Sequence, residues 1–188
     1  LRLIRPPSSS LEVEEENNEV RIDLGPESDS LDLIIKVPRQ CSLSLSTADG
    51  DIIVENVSGD LEVESSDGNV VLTGISGLAV ASSADGDITA VLNAATSGKP
   101  MSFSTVEGDV DITLPADIKA TVRLKTEEGN FYTDFAIDLQ QTLDKKENRE
   151  GKTYRLELER IMKGTINGGG PEYKFTCLEG DIYLRKKK

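Results

Sequence analysis

The chain has 188 residues, 21 of them Lys or Arg and 34 Asp or Glu, for a formal charge of −13 at pH 7. Such an acidic balance repels a nucleic-acid backbone. The absence of histidine removes Ser-His and Cys-His nucleophile pairs and the commonest transition-metal ligand. No apolar run approaches the roughly 20 residues that span a bilayer, and the opening Leu1-Arg2-Leu3-Ile4-Arg5-Pro6-Pro7 lacks the regions of a secretory signal.

Alternation begins early. Leu11 and Val13, then Val20, Ile22 and Leu24, then Leu31, Leu33, Ile35 and Val37 recur at period two, with Asn17-Asn18 and Gly25-Pro26 as turn signals. Residues 1–40 are expected to be antiparallel capping strands.

A repeat follows. Glycines stand at 50, 59, 68, 77 and 86, five in succession at steps of nine, and two kinds alternate, so the period is eighteen. The acidic-Gly kind recurs with longer spacers at Gly108, Gly129 and Gly180, giving six copies. Seven before the glycine come Leu43, Leu61, Ala79, Met101, Val122 and Tyr173, and two after it Ile52, Val70, Ile88, Val110, Phe131 and Ile182. Apolar alternation on both sides of a turn means strand, turn, strand.

One such pair is too small to bury its own apolar face and must stack on its copies. The fold class is therefore all-β, a single parallel β-solenoid with about 18–22 residues per coil. Gly50, Gly68, Gly86, Gly108, Gly129 and Gly180 are structural turns, because a tight corner at positive φ is nearly free for glycine. Three before each stands Thr47, Ser65, Ser83, Thr105, Thr126 or Cys177, an inward column of small residues whose hydroxyls can bond the corner backbone.

Between the fifth and sixth copies lies an insertion in which Phe131, Thr133, Phe135, Ile137 and Leu139 alternate, as do Tyr154, Leu156 and Leu158. It reads as a β-hairpin with Asp144 to Lys152 as its polar tip. A helix over Gln140 to Arg149 lacks a sustained apolar stripe. Organisation follows as one domain over 1–188: capping strands over 1–40, regular coils over 41–130, the hairpin insertion over 131–166, and a final coil with a basic tail over 167–188. With copies stacked in chain order, Cys41 and Cys177 stand five steps and roughly 24 Å apart, beyond disulfide reach. Both are expected as free thiols.

These residues resemble a family of bacterial adhesin-like or toastrack β-solenoid domains, formerly of unknown function. The likeness covers roughly residues 31–188. It is carried by Val37-Pro38 and Leu114-Pro115 ahead of a strand, the Gly-Asp-Ile/Val corners, Gly129-Asn130-Phe131-Tyr132-Thr133-Asp134-Phe135, and Gly164 to Pro171 before the last corner. The resemblance implies a mostly exported cell-envelope protein, extracytoplasmic, with some relatives attached to envelope-stress regulators. It brings no catalytic residues.

No catalytic, cofactor-binding or metal-binding residue is assigned. The corner acids Asp49, Asp85, Glu107, Glu128 and Glu179, with Asp51, Asp87, Asp109 and Asp181, would stack about 4.8 Å apart. Calcium-binding nonapeptide repeats need a Gly-Gly-x-Gly-x-Asp pattern, whereas this chain has one glycine per corner. Paired carboxylates for glycoside cleavage need separations of about 5–9.5 Å, which nearly any two corners satisfy, so the spacing identifies no acid. Phosphate-loop matches fail: Gly98-Lys99 runs into Pro100, and Gly151-Lys152-Thr153 lacks its upstream glycine.

Outward positions three after each glycine read Ile53, Val71, Thr89, Asp111, Tyr132 and Tyr183. Tyr132 and Tyr183 are the expected partner surface for a glycan or an envelope protein, with Ile53 and Val71 as a second apolar patch. The reading is a non-enzymatic envelope surface or scaffold module. An envelope-stress sensing module and a polysaccharide-acting enzyme are the alternatives.

Overall fold

The computed structural model describes residues 11–24, 32–95, 98–150 and 153–188, with the backbone alone at 95, 140–150 and 153–160. The chain divides into two compact units, Leu1–Val37 and Pro38–Lys188.

In the first unit, β1 (Leu11–Glu16) and β2 (Glu19–Leu24) form an antiparallel hairpin from Leu11↔Leu24 to Glu16↔Glu19. Asn17 and Asn18 make its turn at φ 54° and 64°, the left-handed pair that suits strand twist in a two-residue loop. Among the described residues β1 and β2 pair only with each other. One expectation fails here. Residues 32–37 form no strand, and Leu33, Ile35 and Val37 stay exposed. Pro38, which has no N–H to donate, interrupts any ladder before the lone bridge of Gln40 to Ser58. Leu31 and the Gly25-Pro26 turn lie outside the described residues.

The second unit holds β3 (Leu43–Asp49), β4 (Ile52–Glu55), β5 (Leu61–Asp67), β6 (Val70–Gly77), β7 (Ala79–Asp85), β8 (Ile88–Ala95), β9 (Met101–Glu107), β10 (Val110–Leu114), β11 (Ala120–Lys125), β12 (Phe131–Thr133), β13 (Ile137–Glu150), β14 (Thr153–Ile166), β15 (Glu172–Glu179) and β16 (Ile182–Lys186). Each repeat copy gives one strand to each of two sheets. The orders are β12-β16-β10-β8-β6-β4 and β13-β14-β11-β15-β9-β7-β5-β3. Pairing between copies is parallel and keeps the glycine frame, as in Leu43↔Leu61 and Ile52↔Val70. The apolar columns meet between the sheets: Leu61, Leu72, Ile88, Phe103, Ile112, Phe175 and Ile182 are all fully buried.

The copies do not stack in chain order. The sixth, β15 and β16, lies between the fourth and the fifth, pairing Tyr173 with both Met101 and Val122. The cause is the insertion: β14 returns antiparallel to β11, from Ala120↔Ile166 to Lys125↔Ile161, and takes the edge a sixth copy would have used. Its exit at Asn167, Gly168 and Gly169, all at positive φ, turns the chain back toward the slot beside β9. Asn167 locks that turn by donating from Nδ2 to the carbonyls of Ala116 and Ile118 at 3.1 and 2.8 Å. The residues read as a final coil are thus interior, and four strand steps rather than five separate Cys177 from the first copy. Both cysteines are free thiols.

The hairpin is β13 with β14, fourteen residues each, paired from Ile137↔Ile166 to Glu150↔Thr153. Phe131 to Thr133 belong instead to the fifth coil. Asp144 to Glu150, expected in the polar tip, continue the strand, while Gly151 and Lys152 fall outside the described residues. No helix forms over 140–149.

Candidate binding surface

Every coil passes from one sheet to the other at a glycine of positive φ, 134° at Gly68. The reason is doubled by packing. A Cβ at Gly68 would lie 2.5 Å from the carbonyl oxygen of Gly50, so stacked corners touch backbone to backbone. The corner amides of Gly50, Gly68, Gly86, Gly108 and Gly180 each donate to the neighbouring coil, as from Gly50 to Asp67 O and from Gly108 to Glu179 O.

The residue after the glycine builds a ladder across all six coils. The carboxylate or amide oxygen of Asp51 accepts from the Asn69 amide, Asn69 from Asp87, Asp87 from Asp109, Asp109 from Asp181 and Asp181 from Asn130, at 2.7 to 2.9 Å. These oxygens bond the next coil and not their own turns. Each like charge is thereby offset by a backbone N–H, and Asn69 and Asn130 remove two of the six charges. The Asn130 amide holds the Asp181 carboxyl below the usual carboxylate range. That direction keeps it ionised and unsuited to donate a proton.

The inward hydroxyl column does what its chemistry predicts. Thr105 Oγ1 donates to Gly86 O at 2.9 Å and Ser83 Oγ to Gly68 O at 3.1 Å, while Thr47 reaches Asp49 O at 2.8 Å. Ser65 Oγ is buried without a partner. Cys177 takes the same place with a thiol, Sγ lying 3.0 Å from Gly108 O. Burial, then Asp109, Asp181 and Asp87, push that thiol up to about 11. Among the described residues no three His, Cys, Asp or Glu are arranged to hold a metal ion.

Outward, Tyr132 and Tyr183 are partners in register on β12 and β16. Their rings stack with centroids 4.9 Å apart and 10° between planes. Tyr132 is 48% exposed and Tyr183 half-buried, so the insertion leaves both rings at the surface. The Tyr183 hydroxyl donates to Asp181 Oδ2 at 3.2 Å, and desolvation, then that bond, raise its pKa. The Arg185 guanidinium stands 5.2 Å from the Tyr183 centroid while Nε pairs with Asp111 at 2.8 Å.

Ile53 and Val71 lie at the opposite end of the same outward column, which runs Ile53, Val71, Thr89, Asp111, Tyr183, Tyr132. The structure therefore joins the tyrosines to each other and Ile53 to Val71, and separates the two pairs by Thr89 and Asp111. Ile53 is 66% exposed. Arg185 and Asp111 were missed as site residues because Arg185 reads as part of a basic tail. It and Lys186 are instead the end of β16. The signal was available, since Arg185 falls on the outward parity of its strand, opposite Thr113.

Two mainly parallel sheets, joined coil by coil at stacked glycine corners and bearing an outward aromatic pair, define a two-sheet β-solenoid. The Toastrack DUF4097 family matches residues 26–160, and the chain belongs to it. No curated protein matches. Among solved structures the chain is similar to a putative cell adhesion protein from Clostridium sporogenes, at 15% identity and a TM-score of 0.49, over 96% of this chain and 77% of that one.

Proposed function

We propose that this chain is a non-enzymatic, adhesin-like binding module of a cell envelope, working outside the cytoplasm, and that Tyr132 and Tyr183 form its contact surface for a glycan or an envelope protein. The observation that carries the reading is the pair of surface tyrosines that strand register stacks on each other. Ordering two aromatic rings beforehand lowers the entropy cost of binding a sugar ring or a planar side chain. Membership of the toastrack family supports a binding rather than a catalytic role, and the ionised Asp181 beside the rings offers a hydrogen-bond acceptor. Ile53 and Val71, at the other end of the column, would form a separate apolar contact.

The experiment is a glycan array and an envelope-protein pull-down with the wild type and the Tyr132→Ala, Tyr183→Ala double variant. A ring stacked on the partner is typically worth about 0.5–1.5 kcal/mol, so the double variant should bind at least several-fold more weakly while circular dichroism shows the fold retained. Equal binding by both proteins would remove the tyrosines from the site.

A further inference from the structure

The two sheets end at different places. The six-stranded sheet stops at β12, while the eight-stranded sheet runs on past β11 through β14 and β13. Inward residues of those last strands consequently have no described strand opposite them. Met162, beside Leu124, and Ile137 are only partly covered, and Leu139 is 48% exposed. Together with Phe131 and Thr133 they line a cleft of about 110 Å³.

β12 forms the wall of that step, and one of its sides is unpaired among the described residues. The amide of Ile182 donates to Asn130 O and that of Asp134 to Leu184 O, so Asn130, Tyr132 and Asp134 direct their backbone groups toward β16. Alternation then turns the N–H and C=O of Phe131 and Thr133 to the open side. The outer face of the Tyr132 ring borders the same edge, since its other face meets Tyr183. Free backbone groups, an apolar floor and a ring face thus coincide.

A second copy of this chain does not fit. Adding its β4 beside β12 would carry its β3 into the place β14 holds beside β11, and a symmetric β12 pair would bring a second β11 to that same place. What fits is one extended strand. Glu128 and Asp134, both exposed, bracket β12 on an acidic molecule. The nearby cations are engaged: Arg185 with Asp111, and Lys186 at 5.2 Å over the Phe135 ring.

We propose that β12 is a strand-addition site, taking an extended basic segment of a partner polypeptide whose alternate apolar side chains fill the cleft over Met162 and Leu139 while a planar side chain stacks on Tyr132. Main-chain bonds to Phe131 and Thr133 supply affinity, and the alternation supplies selectivity. The inference rests on the reading of the tyrosines as a contact surface and names the partner class.

The test uses a fluorescent synthetic peptide with inward valines, a central outward tyrosine and lysines at the remaining outward positions, against a scrambled peptide of equal composition. Thr133→Pro deletes an outward N–H that the β16 ladder does not use. Thr133→Ala controls for the lost hydroxyl, which accepts from the Phe135 amide at 3.0 Å. In fluorescence anisotropy, Thr133→Pro and Leu139→Glu should each weaken binding at least tenfold, Thr133→Ala less than twofold, with circular dichroism unchanged. Amide exchange at Phe131 and Thr133 should slow when the peptide is present.

No binding, equal binding of the scrambled peptide, or equal binding by Thr133→Pro overturns the proposal. A glycan hit on the array that depends on both tyrosines and ignores Thr133→Pro would overturn strand addition and leave the tyrosine surface standing. Should Thr133→Pro unfold, exchange in the wild type decides the same question: slower exchange at Phe131 and Thr133 with the peptide supports strand addition, and unchanged exchange overturns it.

Discussion

At Gly50 and Gly68 the same corner is built in two settings. Both have positive φ, yet a Cβ at Gly50 meets nothing within 4 Å, whereas one at Gly68 lands 2.5 Å from a backbone carbonyl oxygen. Gly50→Ala should therefore cost only the conformational strain, about 1–2 kcal/mol, and Gly68→Ala that plus forced separation of two coils, about 3 kcal/mol. Denaturant unfolding measures both; equal losses would mean that the stacked corners yield freely. Cys177 allows a pH test. Its thiol sits at about 11 in the folded chain, against about 8.5 for a free cysteine. The neutral thiol's contribution is thus complete below about pH 8.5 and disappears as pH rises through about 11, on the order of 3 kcal/mol in all. Cys177→Thr, which places the residue of Thr105 in the same column, should keep the fold and flatten that part of the urea-midpoint profile. A profile as steep as wild type would show that other groups carry the alkaline loss.

Strand order is the feature of the elements that decides how the chain holds together. Because β15 and β16 lie between coils four and five, removing residues 172–188 takes out an interior layer, including Phe175, whose ring stacks on Phe103 at 5.8 Å. The truncated chain should lose cooperative unfolding and dispersed amide signals altogether. Were the last copy an outer coil, β3 to β12 would survive as a shorter stack with a lower melting temperature. The corners, columns and tyrosine pair were legible in the sequence because each depends on a residue type at a fixed distance from a glycine. Order was not, since Met101 and Phe103, Val122 and Leu124, and Tyr173 and Phe175 are interchangeable as inward pairs. Only the 51-residue interval from Gly129 to Gly180 hinted that the chain leaves and returns. The cleft at β12 was hidden for a related reason: it exists because the two sheets end unequally, which no column of residues records. Arg185 was lost to its position in a basic run, although its pairing with Asp111 follows from parity once β16 is placed.

Summed over the whole stack, charge acts differently on the two sides of the corner. After the glycine, the oxygens of Asp51, Asn69, Asp87, Asp109 and Asp181 are tied to amides, the last of them that of Asn130. Before it, Asp49, Asp67, Asp85, Glu107, Glu179 and Glu128 align in one exposed column without an asparagine among them. Neighbours in such a column stand about 4.8 Å apart, well inside the Debye length of roughly 10 Å at 0.1 M salt, so their repulsion acts in dilute buffer and fades as salt rises. Folding brings these acids together while the unfolded chain spreads them out, and a net charge of −13 adds to the same imbalance. The melting temperature should therefore climb with sodium chloride from dilute buffer to half-molar. Replacing Asp67 and Glu107 by Asn and Gln should raise the low-salt value and flatten the slope, because each substitution interrupts the column as Asn69 and Asn130 interrupt the other. A double variant that melts no higher than wild type in dilute buffer would mean that the exposed acids splay apart far enough to escape one another, leaving the net charge alone to account for any salt effect.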